Sequence, residues 1–170
     1  MRTHKDEATD AITKKAWEKN WQDISMDEIM EIARRHNLKV IEDCAQAPLA
    51  EYKGRKVGTI GHMGIFSLNY HKHIHTGEGG VITTNDDFFA ERCQLIRNHG
   101  EVAAEAKGVT DFTNTYGQNY RLTEIQAAIG IEQLKKLPLL LERRLENAAY
   151  LAEKLGSIPG IIPPVVECGS

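Results

Sequence analysis

The sequence predicts an α/β fold, a small sheet with flanking helices, and three observations predict it. A capped amphipathic helix leads directly into a short apolar strand near residue 40. Two more strand candidates, Met63–Leu68 and Val81–Thr84, are separated by the glycine-rich break Gly77-Glu78-Gly79-Gly80. Helical signals return near Asp87 and again at Leu122. Strands interleaved with helices are the pattern of an α/β domain.

Residues 1–20 are polar and mixed in charge, with Ala8, Ala11, Ile12, Ala16 and Trp17 as their main apolar content. A short helix and a loose arm fit them equally. Ser25-x-x-Glu28 is a capping box, in which each side chain satisfies the other's backbone N–H. Met26, Ile29, Met30 and Ala33 follow at helical spacing. Arg34, Arg35 and His36 place positive charge where the helix dipole favours it, and Asn37 suits a left-handed stop. Leu38–Ile41 then reads as a strand. Ala47 to Gly61 is loop-like, with a small turn or hairpin across Tyr52–Gly58. Asn85-Asp86-Asp87 caps a helix running to about Asn98. Residues 100–118 are rich in Gly and Thr without a period and read as a long loop, of a kind that is often functional. Leu122–Leu137 is helical, with Leu122, Ile125, Ala128, Ile129 and Leu134 as its apolar face. Pro138 suits the first turn of a further helix, which runs to about Leu155 and stops at Gly156. Ile158–Pro164 reads as extended. Buried strands need both faces covered, so so small a sheet looks like part of something larger.

Composition narrows the function classes. The chain has 170 residues, within the range of about 100–200 usual for one domain. Its 21 Lys+Arg against 24 Asp+Glu give a net charge of −3, which argues against a nucleic-acid binder held by a dense basic face. No run approaches the ~18 apolar residues of a membrane-spanning helix. Met1–Glu7 lacks the apolar core of a secretory signal. Cys44, Cys93 and Cys168 form no C-x-x-C pair and no disulfide framework. A cytoplasmic protein is the expectation.

The residues that could carry chemistry cluster at strand ends. Asp43 stands at the C-terminal end of a strand, the edge where open α/β sheets bind ligands. A carboxylate there can pair with a cationic ligand atom, or it can simply cap the loop. Gln46 could hydrogen-bond the same ligand or the loop backbone. Lys72 follows the second strand; such a lysine is either a solvated charge or, when desolvated, a Schiff-base former. Ser67, five residues earlier, could bind a phosphate oxygen. His71, His73 and His75 alternate, but no carboxylate or cysteine spacing completes a metal site, and solvated or loop-packing histidines are the better reading. Cys44 reads as a packed small hydrophobe. Arg97-Asn98-His99-Gly100 reads as a helix C-terminus, and Asn119 lies near a helix cap.

Four segments together resemble a known family. Val40-Ile41-Glu42-Asp43-Cys44-Ala45-Gln46-Ala47 is similar to a signature of the DegT/DnrJ/StrS family of sugar aminotransferases. Phe66-Ser67 followed by Lys72 and Gly77-Glu78-Gly79-Gly80 is similar to a second, Asn119-Tyr120-Arg121-Leu122-Thr123-Glu124 to a third, and Arg97-Asn98-His99-Gly100 to a fourth. Their order and spacing agree from about Met26 to Pro164. The resemblance implies part of the large domain of the aspartate-aminotransferase fold, with a small mixed sheet and flanking helices. It implies pyridoxal 5′-phosphate as cofactor, with Lys72 as Schiff-base lysine and proton shuttle. It also implies Asp43 on the protonated pyridine nitrogen, Gln46 on the phenolic-oxygen side of the ring and Ser67 on the phosphate. Asn119 would reach the phosphate of the neighbouring subunit's cofactor in a homodimer. The implied reaction moves an amino group, usually from glutamate, to a nucleotide-linked keto sugar. One relative is a dehydratase with histidine at the lysine position; Lys72 favours transamination.

The resemblance also divides the chain. Residues 1–20 form a divergent arm, 21–137 a partial cofactor-binding domain, and 138–170 a long helix and the start of a small domain. Family members run to roughly twice this length, so the chain resembles a middle portion. It lacks the Gly-Thr phosphate turn and the aromatic ring that stacks on the cofactor. The alternative is a catalytically inactive remnant acting as an interaction module.

Overall fold

The computed structural model describes residues 24–100, 108 and 116–164. The arm at 1–20 and most of the loop expected at 100–118 lie outside them. Helix α1 (Met26–Arg35) leads into β1 (Ile41–Asp43). A hairpin of β2 (Glu51–Tyr52) and β3 (Arg55–Lys56) follows, then β4 (Met63–Ser67), β5 (Gly80–Thr83), α2 (Asp87–Arg97) and α3 (Glu124–Gly156). The main sheet has the order β1-β4-β5. β1 runs parallel to β4, pairing Ile41 with Met63 and Asp43 with Ile65. β5 runs antiparallel to β4, pairing Ser67 with Gly80. The sheet is therefore mixed, and the α/β class expected from the sequence holds.

Local chemistry accounts for the helix starts. Ser25 and Glu28 close the capping box of α1. Asp86 accepts from the N–H groups of Phe88 and Phe89 to start α2. Thr123 and Gln126 form a second capping box at α3, and the Gln126 side chain also donates to the Glu78 carbonyl at 3.0 Å. The hairpin turns at Lys53 (φ 50°) and Gly54 (φ 74°), the paired positive φ values that match strand twist. Tyr52 and Lys53 both reach back to the Asp27 carboxylate on α1.

Three elements differ from expectation. The first strand lies at Ile41–Asp43 rather than Leu38–Ile41. It takes in Glu42, which is buried and bonded inside the protein. The expected pair of helices meeting at Pro138 is one continuous helix, with Pro138 in its interior. A proline there removes one ladder hydrogen bond. Leu137, just before it, is 1% exposed and packs with Leu68, Ile74 and Leu141, which anchors the helix at that point. Finally, 157–160 turns, and 161–164 has no regular secondary structure.

The parallel β1-to-β4 connection sets the site. Such crossovers usually run through a helix; here residues 44–62 contain only the β2–β3 hairpin. The Glu42 carboxylate does the holding. It accepts from the backbone N–H groups of Gly58 (2.8 Å), Ile60 (2.7 Å) and Gly61 (2.6 Å). Thr83 donates to the Gly58 carbonyl from the far strand. Gly58 (φ 81°) and Gly64 pass backbone to backbone, so a side chain on Gly64 would collide with Gly58. Hydrogen bonds to a charged group contribute about 1.5–3 kcal/mol, and a buried N–H left unpaired costs about 1–3 kcal/mol. Glu42→Gln keeps the shape but turns an amide N–H₂ toward these donors. We expect it to lower unfolding stability by roughly 1–3 kcal/mol, read from urea unfolding against the wild-type chain. An unchanged midpoint would show that the connection is held by other means.

Candidate functional site

The carboxyl ends of β1 and β4 lie side by side because the two strands are parallel. Asp43 ends β1, and its Oδ1 accepts from the Ala45 N–H at 3.0 Å. Its other oxygen has no hydrogen-bond partner among the described residues. Ser67 ends β4; its Oγ accepts from the Asn69 N–H at 3.3 Å and keeps its own proton to donate. Asp43 and Ser67 thus occupy the same sheet edge.

Lys72 is carried by a loop bonded to itself. Its N–H donates to the Asn69 carbonyl at 2.9 Å. The Asn69 side chain accepts from the His71 N–H and donates to Glu78 at 2.8 Å. Leu68 bonds Gly79, Thr76 bonds Leu68, and the Thr76 hydroxyl donates to the Glu78 carbonyl. Leu68, Ile74 and Thr76 are buried, so the loop is anchored by packing as well as by hydrogen bonds. The Lys72 amine forms no ion pair among the described residues. Lys72 and Ser67 line one cavity of about 290 Å³ together with Cys44, His73, Leu134 and Leu137.

Two neighbours of the expected site have perturbed chemistry. Burial pushes the Cys44 thiol up, helped by the charges of Glu42 and Asp43, so it is a packed thiol and not a poised thiolate. Burial, then the charges of Arg144 and Lys72, hold His73 below the usual imidazole range. The Nδ1 of His73 is buried without a partner among the described residues.

The other expected residues are placed differently. Gln46 is exposed beyond β1 and does not line the cavity. Asn119 pairs with Asn98 in an isolated bridge next to the end of α2. There the two motif segments knit together: His99 bonds Gln118, Tyr120 bonds Arg97, and the Arg121 side chain bonds Asn98 at 2.9 Å. Gly100 also closes α2 by donating to the Leu95 carbonyl. The structure therefore joins Ser67 and Lys72 in one cavity, sets Asp43 on the adjoining strand end, and leaves Gln46 and Asn119 outside. The three alternating histidines diverge. His71 stacks on Tyr70, His75 accepts from the Gly77 N–H, and His73 turns inward. Among the described residues no three His, Cys, Asp or Glu side chains gather as a metal set. A larger cleft of about 870 Å³, between β4–β5 and α2, contains none of the five expected residues.

Sequence reasoning missed Glu42 and weighed His73 as a metal ligand or, preferably, a solvated or loop-packing side chain, not as a cavity-lining group. Position within the first motif marks Glu42 as a strand residue, but no pattern reveals that its carboxylate faces three backbone donors.

Lys72, Asp43 and Ser67 bring an amine, a carboxylate and a hydroxyl to the carboxyl edge of an α/β sheet, groups of the type that hold pyridoxal phosphate. That donor set fits the cofactor: a lysine to join it, a carboxylate for its ring nitrogen and a hydroxyl for its phosphate. The chain belongs to the DegT/DnrJ/EryC1/StrS aminotransferase family, whose model matches residues 22–168. Pyridoxal 5′-phosphate is the cofactor of that family. The chain is 44% identical over 138 residues to a GDP-perosamine synthase of Caulobacter vibrioides, covering 78% of this chain and 35% of the relative. It is 39% identical over 151 residues to an L-glutamine:2-deoxy-scyllo-inosose aminotransferase of Micromonospora echinospora, covering 85% and 36%. Among solved structures it resembles the Escherichia coli GDP-4-keto-6-deoxy-D-mannose-3-dehydratase with bound hydrated PLP, at 33% identity and a TM-score of 0.67, covering 80% and 38%. The chain thus spans little more than a third of the length of these relatives.

His73 gives a pH signature. Its folded-state pKa lies below the ordinary 6.5, so the fold prefers the neutral ring. Its stabilising contribution is whole above that value and is lost as pH falls through the lowered folded value. Urea unfolding near pH 7.5 and near pH 5 should show a larger acid loss for the wild type than for His73→Phe. Equal losses would place the ring in solvent.

Proposed function

We propose that this chain forms the cofactor-holding core of a sugar aminotransferase acting on a nucleotide-linked keto sugar, with glutamate as amino donor. The observation that carries the reading is the unpaired amine of Lys72 in a cavity shared with Ser67, beside the strand end that bears Asp43. Residues 21–137 would be the cofactor-binding portion, and the chain from 138 on would lead toward a small domain. A homodimer in the cytoplasm is part of the same reading, as is Asn119 serving the neighbouring subunit's site. Its place outside the cavity of its own chain is compatible with that role.

The bound cofactor would supply a ring that draws electrons from the carbon next to the transferred nitrogen. The residues supply the rest. The Asp43 carboxylate would face the ring nitrogen and favour its protonated form, as an anion favours a neighbouring cation. The Ser67 hydroxyl would donate to a phosphate oxygen. Gln46, exposed just beyond β1 and outside the cavity, would add a hydrogen bond at the ring edge only by turning inward. The Lys72 amine takes a proton from the donor's α-carbon and returns it at the acceptor sugar, which its loop, pinned at Leu68, Ile74 and Thr76, permits without large movement. Lysine, and not histidine, at position 72 favours amino transfer over dehydration.

Incubation with pyridoxal phosphate followed by borohydride reduction tests this. One label per chain on the Lys72 peptide is expected by mass spectrometry, abolished in Lys72→Ala. Preincubation with glutamate should deplete the trappable label, and parallel incubation with glutamine distinguishes the donor. Scattered labelling of surface lysines would overturn the reading.

A further inference from the structure

His73 lines the cavity of Lys72, and the proposed chemistry gives it no part. The Nδ1 of His73 is buried and has no partner among the described residues. A buried polar atom left unpaired is costly, and native proteins rarely keep one without a use. Its surroundings specify what it wants. Lys72 on its own loop and Arg144 on α3 are the charges that act on the ring. Lys56, at the end of β3, lines the same cavity but is already paired with Glu51 at 2.6 Å. No Asp or Glu side chain lines the cavity. The polar side chains lining it are two lysines, three threonine or serine hydroxyls, one thiol and this imidazole.

We propose that His73 is a second ligand-binding group of the Lys72 cavity, donating its Nδ1–H to an oxygen of an anionic group and so positioning that ligand against the Lys72 amine. The proposal rests on the reading of the cavity as the cofactor and substrate site. The anion is a phosphate or a carboxylate, and both chemistries are accepted by the same donor. A neutral imidazole donates one hydrogen bond here without adding a third positive charge beside Lys72 and Arg144. The ring is held by its neighbour Ile74, which packs against Leu68 and Leu137. His73 is thus a positioning residue, acting on the ligand and not on the transferred proton.

Side-chain nitrogens of the seven histidines can be followed by long-range ¹H–¹⁵N spectra of the full chain, with the His73 signals assigned by loss in His73→Phe. Inorganic phosphate, pyridoxal phosphate and glutarate are titrated separately, which tells a phosphate from a dicarboxylate. A saturable shift of the His73 signals, with a rise in its pKa on binding, is expected with at least one of them. The rate of Lys72 labelling by pyridoxal phosphate and borohydride should fall about tenfold in His73→Phe, the size of one hydrogen bond. It should recover in His73→Asn, whose amide nitrogen sits where Nδ1 does. Melting temperatures of the variants separate lost binding from lost folding.

Unmoved His73 signals with full labelling of Lys72 in His73→Phe would overturn the proposal and leave the aminotransferase reading standing. A His73 shift with phosphate in a chain whose Lys72 stays unlabelled would support the anion site and overturn the cofactor reading. Neither shift nor labelling would overturn both.

Discussion

The Glu42 carboxylate is the constraint on which the rest of the structure depends. One side chain takes three backbone donors from a four-residue stretch, Gly58 to Gly61, just before the chain enters β4. Parallel strands normally return through a helix whose packing fixes their register. This crossover has no such helix, so a fixed anion replaces it. Because Glu42 lies in the middle of β1 and its donors precede β4, the bond sets the two strands alongside each other at one register. That register brings Asp43 to the level of Ile65, and it is what puts the strand-end carboxylate and Ser67 on one edge. An anion facing backbone donors suits this task better than an amide, since it only accepts and presents no competing N–H.

From that edge the site is built by a loop and not by a strand. The segment from Leu68 to Gly79 bonds to itself through Asn69, Thr76 and Glu78, and it buries Leu68 and Ile74. The amine of Lys72 is therefore presented from a fixed base on a four-carbon stem. Rigid support with a flexible reactive end is the arrangement that positioning demands. His73 shows the other side of the same geometry: the next residue along turns inward, and its Nδ1 loses solvent without gaining a partner among the described residues.

Much of this was legible in the residues. The capping box at Ser25, the aspartate cap of α2 and the turn at Gly77–Gly80 each follow from local chemistry, and the structure keeps them. Ser67 and Lys72 were legible as a pair because strand ends collect chemistry. Other features were not. Glu42 breaks the apolar pattern of its strand, and only the tertiary position of residues 58–61 explains why. Pro138 is a good helix starter and a poor interior residue, so the local rule pointed to two helices. The long-range contact of Leu137 with Leu68 and Ile74 decides for one. Periodicity named Ile125, Ile129 and Leu134 as a buried face. The structure leaves them 75%, 44% and 56% exposed, because among the described residues nothing packs across that side of α3. A helical stripe reports that a face is apolar; it does not report what covers it.

That exposed helix is also part of the site. Leu137 meets Leu68 and Ile74, the residues that bracket the lysine loop, and together with Leu134 it forms one wall of the Lys72 cavity. Arg144, two turns further along, acts on His73. Pro138 follows Leu137 directly and removes the hydrogen bond that would run to the Leu134 carbonyl. The weakest rung of the helix ladder therefore lies beside its firmest packing contact. Whatever packs on the outer face of α3 presses on the same helix that walls the cavity, and a shift of the helix about Leu137 cannot leave the spacing of Leu134, His73 and Lys72 unchanged. Covering the apolar side of α3 and shaping the space around the lysine are one physical problem in this fold, since a single helix bears both faces.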